Sequence, residues 1–102
     1  MRALIVTRQT SAPPMEAMPM LVGAFNQWRE QHRDKMEVFA FFTSGTGGCG
    51  IVNVADEMEL YQLSAQFPLA PFSSVEVEVL VEGDAALQFL TQRIQALAAQ
   101  MG

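Results

Sequence analysis

Between residues 73 and 82 the chain alternates apolar and polar side chains, with Val75, Val77 and Val79 set against Glu76 and Glu78. A period of two describes a strand with one face turned to a core and the other showing carboxylates. Just before it, Phe67-Pro68-Leu69-Ala70-Pro71-Phe72 carries two prolines that stop a preceding helix and stiffen the approach to the strand. Upstream, residues 2–8 read as a short buried strand around Ala3-Leu4-Ile5-Val6, and residues 9–18, with Pro13 and Pro14, read as a loop. Pro19 suits the first turn of a helix. From there Leu21, Phe25, Trp28 and His32 recur on one helical face, while Asn26, Gln27, Glu30, Gln31 and Asp34 make the polar side. Residues 37–43 predict a strand, 44–50 a glycine-rich turn and 51–54 the return strand. Asp56 with Glu59 forms a capping pattern that opens a second helix running to about Gln66. Gly83 turns the chain, and Asp84 is placed to cap a third helix whose Leu87, Leu90, Ile94, Leu97 and Met101 repeat at threes and fours.

The element order is strand, helix, strand, strand, helix, strand, then an added helix. This is the α+β, ferredoxin-like βαββαβ order, with an antiparallel sheet expected in spatial order 4-1-3-2, and residues 1–102 are expected to form a single domain. The helices of such a sheet lie on one face, so the other face needs a cover, and a second copy's sheet supplies it. The second predicted strand fits that need: Phe39 and Phe41 point one way, Val38, Ala40 and Phe42 the other, so both faces are expected to be buried.

Composition supports this picture. Half of the 102 residues are apolar and only 17% are charged, an excess that suits a homodimer or higher homo-oligomer. The net charge of -5 disfavours nucleic acid and acidic membrane surfaces as partners. The apolar run at the N-terminus is too short for a signal segment or a membrane span. The single Cys49 cannot form an intrachain disulfide and points to a reducing, cytoplasmic setting.

The residues from Asp56 through Leu80 carry a resemblance. The helix Asp56-Glu57-Met58-Glu59-Leu60-Tyr61, the turn Phe67-Pro68-Leu69-Ala70-Pro71-Phe72 and the strand Val75-Glu76-Val77-Glu78-Val79-Leu80 resemble the muconolactone isomerase family, which shows a similar proline-bracketed turn before an acidic, alternating strand. The specific match covers roughly a quarter of the chain, whereas element order and length agree over nearly all of it. The resemblance implies a dimeric α+β barrel, often assembled into larger rings, and a cofactor-free isomerase that moves a proton on a small carboxylated lactone. The family is richer in basic and aromatic polar residues along its second strand and the hairpin that follows. Here that stretch is Val38-Phe39-Ala40-Phe41-Phe42 and then Ser44-Gly45-Thr46-Gly47-Gly48-Cys49-Gly50, so the cation a carboxylated substrate needs is absent from that position.

The candidate chemistry is correspondingly sparse. Glu76 and Glu78 share one face of the last strand; turned into a barrel interior, either is a candidate catalytic base. The alternative is surface pairing with Arg2 and Arg8 on the neighbouring first strand. His32, the sole histidine, is the next catalytic candidate or else a core-edge residue at a helix end. Trp28, Tyr61 and Phe72 are candidate walls for a flat substrate, or core. No clustering of His and Cys implies a metal, and no cofactor is expected. Gly45-Thr46-Gly47-Gly48-Cys49-Gly50 matches G-x-G-x-x-G in letters, but a strand pattern follows it where a nucleotide loop needs a helix. Cys49 has no base near it in sequence. Two functional readings follow: an isomerase of the family it resembles, or a non-catalytic small-molecule-binding or assembly domain on the same scaffold.

Overall fold

A computed structural model describes residues 1–101. The elements are β1 (Arg2–Gln9), α1 (Met18–Gln31), β2 (Met36–Phe41), β3 (Gly47–Asn53), α2 (Glu57–Ala65), β4 (Ser73–Leu80) and α3 (Gly83–Met101), with 3-10 turns at Met15–Ala17, Arg33–Lys35 and Ala70–Phe72. All strand pairs are antiparallel and the sheet order is β2-β3-β1-β4, which is the expected 4-1-3-2 read from the other edge. The ferredoxin-like expectation holds.

Register sorts the side chains into two faces. Ala3, Ile5 and Thr7 of β1 stand opposite Val79, Val77 and Val75 of β4 and opposite Val52, Gly50 and Gly48 of β3. This inner face meets α1 and α2. Ala3, Val52, Val54, Leu60 and Leu63 form the buried cluster, with Ile5, Trp28 and Met36 packed against it. Each such aliphatic side chain removed from water stabilises the fold by about 1.5–3 kcal/mol. The indole N–H of Trp28 donates to the Leu63 carbonyl at 3.1 Å, tying α1 to α2.

Two boundaries differ from those the sequence predicts. The glycine-rich stretch is a turn only at its start: Gly45, at φ 78, reverses the chain, and β3 already begins at Gly47. The cause is steric. A Cβ at Gly47 would collide with the Thr7 carbonyl, and one at Gly48 would lie 2.5 Å from the Ala40 carbonyl oxygen. Glycine therefore lets β1 and β2 close on β3 from both sides. The second difference is the start of α3. Glu82, not Asp84, is the cap: its carboxylate accepts from the backbone N–H of Asp84 at 3.0 Å and of Ala85 at 2.7 Å. These bonds hold the Glu82 carboxyl below its ordinary range. The predicted cap of α2 is as expected, with Asp56 accepting from the Glu59 N–H at 2.9 Å, and α2 ends ahead of Pro68.

The outer face of the sheet carries Leu4, Val6, Ile51 and Val38, bounded by Arg2 and Arg8. No helix covers it. β2, expected to be buried on both sides, is half-buried only at Met36 and Phe39, and Phe41 is 67% exposed. No residue of α3 is buried, and the helix projects from the body, giving extents of 68 × 27 × 22 Å.

Candidate functional site

The inner face does not close completely on its helices. α1 approaches the sheet through large aromatic side chains, while β3 opposite offers Gly48 and Gly50, which have none. A cavity of about 350 Å³ results, within the range of small-molecule sites. Its floor is Ile5, Thr7 and Val75 with the β3 glycines; its walls are Phe25, Trp28, Phe67 and Phe72. Phe25 is the hub of the aromatic wall, with ring centroids 5.7 Å from Trp28, 5.8 Å from Phe67 and 6.0 Å from Phe39. Trp28 and Phe67 meet edge to face at 5.1 Å, the arrangement that ring quadrupoles favour.

Polar groups on this wall are few. Thr7 Oγ1 donates to the Gly48 carbonyl over a long 3.4 Å. Ser64, on the inner side of α2, lines the cavity and its hydroxyl is enclosed without a partner. An enclosed hydroxyl without a partner is costly, by about 1–3 kcal/mol. No Asp, Glu, His, Lys or Arg lines the cavity among the described residues.

The sequence-predicted site residues divide accordingly. Trp28 and Phe72 are brought together in the wall. Tyr61 stands 69% exposed on the outer side of α2 and away from the cavity. His32 is buried at the C-terminal end of α1, with its ring 5.8 Å from that of Trp28 and Nε2 3.1 Å from Gln66 Oε1; its Nδ1 meets no acceptor or donor. It backs the wall and does not reach the cavity. Glu76 and Glu78 are exposed and lie on the outer face, in register with Val6 and Leu4. The valines between them take the inner face, so the two glutamates are separated from the cavity by the thickness of the sheet.

The expected partners of those glutamates are also engaged elsewhere. Arg2 forms a fork with Glu37 across the sheet, Nε to Oε2 at 2.7 Å, and this bond lowers the Glu37 pKa and raises that of Arg2. Arg8 lies over the Phe42 ring, 5.0 Å from its centroid. Cys49 is in register with Val6 on the outer-face side of β3. The G-x-G-x-x-G letters fall on the hairpin and on β3, without a helix after them.

Sequence reading passed over Ser64, although a signal was present. Leu60, Leu63 and Phe67 form a helical stripe, and Ser64 is the one polar residue set among them.

No family model matches the chain, and no curated protein matches it in sequence. Solved structures share the fold. The crystal structure of muconolactone isomerase superposes with a TM-score of 0.70 at 15% identity, covering 80% of this chain and 90% of that one. A 5-chloro-2-hydroxyhydroquinone dehydrochlorinase from Burkholderia phenoliruptrix AC1100, in complex with 2,5-dihydroxybenzoquinone, gives a TM-score of 0.64 at 18% identity, covering 83% of this chain and 98% of that one. The resemblance read from the sequence is thus borne out at the level of fold: the chain has the architecture of dimeric α+β barrel structures.

Proposed function

We propose that this chain is a small-molecule-binding protein on the dimeric α+β barrel scaffold, and that its cavity takes a flat, uncharged, cyclic organic molecule. One observation carries the reading: the cavity wall combines the rings of Phe25, Trp28, Phe67 and Phe72 with few polar side chains and no charged one among the described residues. Ring faces select a planar apolar body. A charged ligand in this cavity would lose its hydration without a counter-ion. The dehydrochlorinase of like fold is held with a six-membered ring compound, which accords with a cyclic ligand.

Equilibrium dialysis with coumarin, a flat uncharged lactone, tests the reading. Saturable binding is expected, and it is expected to be lost in Val75→Phe, which fills the floor. Equal binding by wild type and Val75→Phe would remove it.

The second reading, a cofactor-free isomerase acting on a lactone, draws on the fold shared with muconolactone isomerase. Proton transfer needs a titratable group within hydrogen-bond reach of substrate. Glu76 and Glu78 face away, and His32 is the nearest candidate, directly behind Trp28. Muconolactone turnover at the uncatalysed rate is expected. Turnover that disappears in His32→Ala would establish the isomerase instead.

A further inference from the structure

A second groove of similar volume opens beside the Phe25 hub, between α1 and β2. It encloses about 360 Å³ and its wall is apolar, built from Met18, Leu21, Phe25, Phe39 and Leu69, except at one end. There α1 presents Asn26 and Arg29. The Arg29 guanidinium lies over the Phe39 ring, with Cζ 4.4 Å from the centroid, and its Nη1 is enclosed and meets no acceptor. Three other cations are already engaged: Arg2 with Glu37, Arg33 with Glu30 and Lys35 with Glu59. Glu30, the carboxylate next to Arg29 in sequence, is hydrogen-bonded to Arg33, and its pKa is lowered by that bond and to a smaller degree by the charge of Arg29. Arg29 has no ion pair and no hydrogen bond among the described residues.

From this geometry we infer a binding site for an amphipathic monocarboxylate in the α1–β2 groove, with the carboxylate on Arg29 and Asn26 and the apolar tail along Met18, Leu21, Phe25 and Leu69. The chemistry of the head group follows from the donors. A guanidinium fork matches the two oxygens of a carboxylate, and the ring beneath it restricts it to one plane. One cation beside one carboxamide balances a single negative charge, whereas a phosphate dianion needs more. The tail is set by the remaining wall, which offers no polar side chain. The site also supplies the cation that the apolar second strand lacks, from the helix packed against that strand. The groove shares Met18, Phe25, Phe39 and Leu69 with the main cavity, but Thr7, Ser64 and Val75 line the main cavity alone.

Octanoate is the probe, with octanol as its uncharged counterpart, followed by backbone amide NMR. Octanoate is expected to saturate, with its largest shifts at Leu21, Asn26 and Arg29. Arg29→Met is expected to weaken octanoate at least tenfold and to change octanol binding less than twofold. Arg29→Lys keeps the charge without the fork and is expected to fall between. Asn26 is exposed, so Asn26→Asp folds as wild type, and its added charge is expected to weaken octanoate severalfold. Equal octanoate affinity in wild type and Arg29→Met, no effect of Asn26→Asp, or shifts confined to Thr7, Ser64 and Val75 would each overturn the site. So would shifts at Leu21 and Arg29 on dilution without ligand, which would place a second copy of the chain in the groove.

Discussion

Leu63 shows how closely packing and site are joined in this molecule. It is 1% exposed, its carbonyl receives the Trp28 indole, and its side chain touches both core and cavity. Leu63→Ala is expected to lower unfolding free energy by about 3 kcal/mol, measured by urea denaturation. Its neighbour behaves differently. Ser64→Ala removes an enclosed hydroxyl that has no partner, so the unliganded protein should stay within about 1 kcal/mol of wild type; marked destabilisation would mean that the hydroxyl is satisfied in solution. At this scale the sequence was partly legible. Helical spacing brought Trp28 to the wall, and Phe72 followed from the proline turn. The alternation of β4 correctly separated its valines from its glutamates. It carried no information on which face a cavity would use: Glu76 and Glu78 stand on the outer face with Val6 and Leu4, across the sheet from the cavity. His32 shows the limit of a helical stripe: it gives direction around the helix but not depth, and His32 ends behind the wall. Tyr61, a candidate for its ring alone, ends in solvent.

Single elements carry two devices that pattern reading missed. β3 has glycine where its neighbours need room, so composition disguised a strand as a turn. Gly48→Ala is expected to destabilise the fold by about 1–3 kcal/mol, because the Ala40 carbonyl is backbone and cannot move aside cheaply. The same residue keeps the cavity floor open. The other device is the cap on α3. Glu82 accepts two backbone N–H groups there, and its folded pKa lies below the ordinary 4.5. A depressed carboxyl pKa contributes stability that is present above the unfolded value and lost as pH falls through the folded value. Amide exchange at Ala85 and Ala86, corrected for the intrinsic pH dependence, is therefore expected to accelerate as pH drops below about 4.5 and to be insensitive to pH in Glu82→Gln. Helix existence and both strand periods were plain in the sequence; the cap was not, since Asp84 and Glu82 are both plausible acceptors and only backbone geometry chooses between them.

At the scale of the whole molecule, unmatched apolar surface is the main fact. Leu4, Val6 and Ile51 sit on the bare outer face, Val77 and Val79 are exposed on β4, and α3 exposes Leu87, Leu90, Ile94 and Leu97. We propose that the outer faces of two copies pack together, as the fold would allow. Light scattering is expected to give at least twice the 11.2 kDa chain mass, and Val6→Glu to reduce it to that of one chain; a wild-type monomer at micromolar concentration would contradict this. No helix among the described residues is long and apolar enough to cross a membrane, so α3 is not a spanning segment. The order and handed-over faces of the sheet were legible because periodicity decides them, whereas the cavity was not, since it arises from an absence of side chains on β3 meeting an excess of rings on α1. That cavity is the central claim, and the chain's single tryptophan lies in its wall. The most direct measurement follows the one indole N–H resonance of Trp28 while coumarin is added. A saturable shift that is absent in Val75→Phe is the expected result; an indole resonance that stays fixed to millimolar coumarin, or that moves equally in Val75→Phe, would contradict the account.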